Sequence, residues 1–160
     1  MGRKDKTLHE LILTKQWEDV DARLTKAPHE IRQRAGTKWG GSCLADAISY
    51  GAPPEITMKL LRAYPKAIRF ADENDEYPMF KACAFGAPVE AFEIMTLVFP
   101  EVLAMKRRNI FKKGTPAQWC KWQASAWPNE YAEHKDAIIE LLSKDVSYWK
   151  AQQVERASTE

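Results

Sequence analysis

The chain copies itself once, in register, at a spacing of 35 residues. Gly51-Ala52-Pro53-Pro54-Glu55 returns as Gly86-Ala87-Pro88-Val89-Glu90. The same step carries Ala47 onto Ala82, Tyr50 onto Phe85, Tyr64 onto Phe99 and Pro65 onto Pro100. It also carries Leu44 onto Met79, Leu60 onto Met95 and Ile68 onto Leu103. A fixed period of this size belongs to folds whose unit cannot bury its apolar face alone and stacks on copies of itself.

One unit reads physically as a helix pair. Leu44, Ala47 and Ile48 form the i, i+3, i+4 stripe of a short helix, and Gly51 is placed to end it in the left-handed conformation. Pro53 and Pro54 suit the first turn of a second helix, with Glu55 at its positive end. Ile56, Leu60 and Leu61 turn inward along that helix, and Pro65 forbids its continuation. A polar connector, 72–76, leads to the next unit.

The second copy runs over 78–99, and a third opens at Gly114-Thr115-Pro116 with a longer inter-helix turn at 125–129. Upstream, Pro28 and Ile31 lie 37 residues before Pro65 and Ile68, which places a further pair at 6–25. The expected architecture is therefore an all-α helical-repeat solenoid of four antiparallel helix pairs, at 6–25, 43–64, 78–99 and 116–143, joined by polar fingers. It forms one domain over 1–151. Residues 152–160 lack an apolar stripe and are expected to fray.

The string Asp72-x-x-x-x-Tyr77-Pro78-Met79-Phe80-Lys81-Ala82-Cys83-x-x-Gly86 resembles the helix-opening motif of the ankyrin repeat, and Gly114-Thr115-Pro116 matches its opening again. The likeness spans residues 8–149. It departs from the family at Met79-Phe80 and Ala117-Gln118, where the family has Leu-His, and at Ser42-Cys43-Leu44, where it has Thr-Pro-Leu. The tetratricopeptide repeat has a similar period but expects helices of equal length and no long finger. The ankyrin-like resemblance implies a module that binds protein through finger tips and the inner faces of its first helices. By position in the repeat that places Asp46, Ser49, Lys81, Ala84 and Lys121 on the inner side.

Bulk properties fit a single packed domain. Hydrophobic residues make up 45% and charged residues 29%, so disorder is not expected. A net charge of +2 is too small to argue for nucleic acid. Cys43, Cys83 and Cys120 are odd in number, with no CxxC and no histidine beside them in sequence. They read as buried thiols of a reducing compartment, with no metal. No apolar run is long enough to span a bilayer, the N-terminus has no signal-like stretch, and Lys6 stands where a myristoylation motif wants Ser or Thr. The expected setting is cytoplasmic or nuclear, with no membrane.

Nothing in the sequence has a catalytic signature. His9, His29 and His134 are distributed along the repeat, where a linear stack keeps them apart, and no phosphate loop, nucleophile elbow or zinc motif occurs. Gly40-Gly41-Ser42 could nest an anion but reads first as a helix cap. The chain is expected to be no enzyme and to hold no cofactor.

The connectors carry the sharpest charge pattern. Arg32, Arg34 and Lys38 occupy the first finger, Asp72, Glu73, Asp75 and Glu76 the second, and Lys106, Arg107, Arg108, Lys112 and Lys113 the third. Pairing between fingers is one reading, with each exposed pair worth about 0–1 kcal/mol. The other is that the third finger, five cations without an anion, attracts an acidic protein. An interrupted positive stripe makes nucleic acid the lesser reading. Trp39, in the first finger, is a contact candidate. Trp119, Trp122, Trp127 and Trp149 either cap the core or form a C-terminal hot spot. The functional expectation is a non-catalytic protein–protein interaction module, a monomer or a subunit of a hetero-complex. The alternative is an assembly subunit whose Trp-rich end packs on another chain.

Overall fold

The computed structural model describes residues 5–33 and 41–159. Arg34, Lys38 and Trp39 lie outside the described residues. The chain is mostly helical, with ten α-helices and one small β-hairpin among the described residues, and it divides into two compact units, Met1–Pro78 and Met79–Glu160.

The first unit holds two helix pairs. α1 (Leu8–Leu13) opens on a capping box, in which the Thr7 hydroxyl accepts from the Glu10 amide at 3.2 Å. The Glu10 carboxylate accepts from the Thr7 amide at 2.7 Å. α2 (Trp17–Lys26) runs into a 3-10 turn, Pro28–Arg32. α3 (Cys43–Ser49) starts at Ser42, whose hydroxyl accepts from the Ala45 amide at 3.1 Å, so the cap reading of Gly40-Gly41-Ser42 describes the serine. α4 (Pro54–Ala63) leads to a second 3-10 turn, Pro65–Arg69. α1 packs on α3 and α2 on α4, first helix against first and second against second. Leu8, Ile12, Val20, Leu44, Leu60 and Leu61 fill the space between, and the 3-10 turns add Ile31 and Ile68.

α3 ends as its glycine demands. Gly51 sits at φ +81°, and the next amide, Ala52, donates back to the Ala47 carbonyl at 2.9 Å. Its repeat partner Gly86 sits at φ +86° but carries a second constraint. A Cβ there would meet Tyr131 at 2.8 Å and Trp127 at 3.1 Å, whereas one at Gly51 would meet nothing. The same backbone need is met in an open site at Gly51 and in a packed one at Gly86.

The second unit begins with α5 (Pro78–Phe85) and α6 (Val89–Val98), followed by a third 3-10 turn, Pro100–Ala104, at the position of the other two. α7 (Pro116–Gln123) and α9 (Lys135–Ser143) form the next pair, with α9 packed on both α6 and α7. Three expectations are corrected. The connector 101–114 is no plain polar turn, because after the 3-10 turn β1 (Arg107–Arg108) pairs antiparallel with β2 (Lys113–Gly114). The inter-helix turn runs well past 125–129, through a 3-10 turn (Ala124–Ala126) and the one-turn helix α8 (Asn129–Ala132).

The tail is the third correction. α10 (Val146–Thr159) is helical through the stretch expected to fray. It is held by few apolar groups, chiefly Trp149, and by polar ties to α6. The Gln153 amide donates to the Leu97 carbonyl, and Arg156 meets Glu93 at 2.9 Å. Such ties leave no apolar period in the sequence.

Candidate interaction surface

The third finger is a hairpin clamped at its base and bare at its tip. β1 and β2 pair Arg107 with Gly114 and Arg108 with Lys113. At the turn, Asn109 does most of the bonding. Its amide donates to the Lys112 carbonyl at 2.8 Å, while its side-chain oxygen accepts from the Phe111 and Lys112 amides at 2.8 and 2.7 Å. An Asn that bonds forward in this way closes a turn without help from neighbouring elements. Ile110 and Phe111 stand at the apex, 92% and 88% exposed.

The base is fixed to α7 by two tryptophans. The buried Trp119 indole donates to the Arg107 carbonyl at 3.0 Å, and the Arg107 guanidinium lies 4.9 Å from the centre of that ring. The Lys112 ammonium lies 4.7 Å from the Trp122 ring, which meets Trp119 edge-on at 5.2 Å. Cations over indole faces are attracted by the ring quadrupole. Gly114 lets the strand approach this pair, since a Cβ there would meet Trp122 at 2.8 Å. Thr115 then starts α7, with its amide donating to the Gln118 side chain at 2.9 Å. The sequence singled out all five cations and none of the apolar tip.

The remaining residues singled out by the sequence divide by what they already hold. Asp46 accepts from His9 of α1 and so ties α3 to it, while Ser49 donates to the Ala45 carbonyl of its own helix at 2.9 Å. Asp72 folds its own loop by accepting from the Asn74 and Glu76 amides at 2.8 and 3.0 Å. Asp75 takes φ +58° in that loop. Glu73, Asp75, Lys106, Arg108, Lys112, Lys113 and Lys121 are exposed, while Glu76, Lys81 and Arg107 are half-buried. Trp119, Trp127 and Trp149 are buried within their own unit, which draws them away from any partner, and Trp122 remains partly exposed. Two further aromatics escaped notice. Tyr50 and Phe85 close the first helices α3 and α5, each just before its positive-φ glycine, and are 40% and 47% exposed. Their equivalence under the 35-residue step was the available signal.

One constellation gives a cysteine a histidine neighbour in space that sequence spacing does not show. The Cys43 sulfur lies 3.6 Å from His9 Nδ1, and His9 Nε2 lies 3.0 Å from the Asp46 carboxylate. The tautomer that serves all three has the thiol donating to Nδ1 and Nε2–H donating to Asp46. This is the order of a thiol–imidazole–carboxylate triad, but the sulfur is in the wrong state to attack. Cys43 is 1% exposed, and burial, then the Asp46 and Glu30 carboxylates, push its thiol up to about 12. A reactive cysteine needs the opposite, an accessible site that favours thiolate.

Iodoacetamide or a disulfide reagent at neutral pH should therefore leave Cys43 unmodified until the chain is unfolded. Rapid labelling of native protein at Cys43, mapped by peptide mass, would restore a nucleophilic role. The same burial fixes an alkaline limit. The unfolded thiol ionises near its ordinary 9.0 and the folded one only near about 12, so across that window the native state binds more protons. Stability should fall as pH rises through it. A Cys43→Ala variant should lose that component of the alkaline decline.

Among the described residues no His, Cys, Asp and Glu side chains gather into a group that could hold a metal, and no helix is long and apolar enough to cross a membrane. No family model, curated protein or solved structure matches the chain.

Proposed function

We propose that the chain is a non-catalytic protein–protein interaction module built as an ankyrin-like array of helix pairs. The order of elements in the two central helix pairs supports the architecture: short first helix, glycine stop, Pro-started or Pro-preceded second helix, then a Pro-started 3-10 turn that buries Ile68 or Leu103; the first pair shares only the 3-10 turn, which buries Ile31. The sealed state of Cys43 supports the absence of catalysis.

The observation that carries the binding reading is the pair Tyr50 and Phe85. The two central repeats each leave a large aromatic in solvent at the same step, where a polar residue would satisfy the helix end equally well. Aromatic side chains give much contact area for little lost side-chain freedom and dominate binding energy when a partner covers them. A module whose surface is already ordered loses little entropy on association.

Affinity capture with wild type beside a Tyr50→Glu/Phe85→Glu variant tests this. The expected result is loss of specific partners by the variant with an unchanged melting curve. An identical captured set from both chains would remove these aromatics as the contact, and turnover of any substrate at Cys43 would remove the reading itself.

A further inference from the structure

We propose that the hairpin at 107–114 is a second contact, directed to an anionic lipid surface. Three observations converge on that counterpart. The apex, Ile110-Phe111, is apolar and almost wholly exposed, on a turn whose base is pinned by Trp119.

Charge supplies the second observation. Lys106, Arg107 and Arg108 precede the apex and Lys112 and Lys113 follow it, so cations flank the tip on both strands. No Asp or Glu occurs anywhere from Val102 to Asn129. A bilayer interface with acidic lipid is complementary to this arrangement, because the tip enters the acyl boundary while the cations stay at headgroup level. Each basic residue near such a surface contributes about a fivefold gain in binding.

The third observation concerns the backbone. An amide carried into a low-dielectric layer must bring its own partner. The amides of Asn109, Phe111 and Lys112 all donate within the turn, two of them to the Asn109 side chain. Three of the turn's amides are thus satisfied before it meets anything. A protein pocket would need a shape matched to Ile110 and Phe111, and a nucleic acid has little use for Ile110. A lipid surface requires neither. Contact of this kind needs no spanning segment, so it is compatible with the absence of an apolar helix of that length among the described residues.

Co-sedimentation with vesicles decides the matter, using phosphatidylcholine alone and phosphatidylcholine containing one-third phosphatidylserine. Wild type should bind the acidic vesicles, not the neutral ones, and release on raising salt. Ile110→Ser/Phe111→Ser should reduce binding at least tenfold, and Arg108→Ser/Lys113→Ser by about twenty-five-fold, two fivefold steps. All four positions are exposed, so melting curves of both variants should match wild type. In an Ile110→Cys chain carrying a polarity-sensitive dye, emission should shift to the blue only with acidic vesicles. Failure to bind them, or binding indifferent to the tip substitutions, overturns the proposal. Retention of single-stranded RNA or of an acidic peptide through the same residues, without vesicle binding, overturns it in favour of that ligand.

Discussion

Replacing Glu30 with alanine should destabilise the protein by about 3 kcal/mol, read as a lowered urea midpoint with an unchanged slope. Glu30 is a carboxylate only 7% exposed, and it joins three elements. Its oxygens take two bonds from the Arg23 guanidinium of α2, at 2.5 and 2.9 Å, and one from the Leu8 amide at the first turn of α1, at 2.9 Å. Removing it leaves a largely buried guanidinium and an unmet helix-end amide. The low end of the range for broken buried pairs applies because Asp5 remains 3.8 Å from Arg23. Glu30→Gln should recover part of the loss, since its amide oxygen can still accept from Leu8.

The pH dependence has a defined sign. The Arg23 bonds, then the Leu8 amide, hold the Glu30 carboxyl down to about 2 against burial, below its ordinary 4.5. Between these values the unfolded chain binds more protons than the folded one, so stability rises with pH. Its contribution is complete above 4.5 and is lost as pH falls through about 2. Wild type and Glu30→Ala should therefore differ most near neutrality and converge in acid. A cost below about 1 kcal/mol, or a gap that does not narrow in acid, would show that Glu30 holds nothing the solvent could not.

How much of this was legible follows from what leaves a trace in a linear sequence. Pro28, Pro65 and Pro100 marked the ends of three second helices, and Gly51 and Gly86 the ends of two first helices, because backbone chemistry acts locally. Convergence does not. Cys43 and Asp46 lie 34 and 37 residues from His9, about one repeat step away, and meet it because α1 packs on α3. Glu30 reaches the amide of Leu8, 22 residues earlier, and a lone acid beside a proline gives no hint of that.

The hairpin was missed for another reason. Read as a run of charge, residues 106–113 hide the two apolar residues at their centre, and a two-residue strand is too short to show alternation. Its fixed geometry depends on Trp119 and Trp122, which the sequence assigned to a different task. α10 went unseen because its hold on α6 is largely polar. In each case the missing information was a contact between elements, and the stretch concerned has no period of its own.

Trp127→Ala should be as damaging as the loss of Glu30 or more so, at about 4 kcal/mol. The indole is buried in the long turn between α7 and α9 and stacks on the fully buried Phe92 of α6, with ring centres 6.0 Å apart. Its N–H donates to the Cys83 carbonyl of α5 at 2.9 Å. It also lies against Gly86, where the absence of a side chain makes its room. One residue thus fills a void, closes a helix-end carbonyl and seats the glycine that stops α5. Truncation opens a cavity the size of an indole and leaves the Cys83 carbonyl buried without its donor. Trp127→Phe separates the two effects, since it keeps most of the ring volume and loses only the bond, at about 1–2 kcal/mol. If the Trp-rich end were instead a surface held for another chain, both substitutions would leave the isolated protein's unfolding curve in place and change only its association.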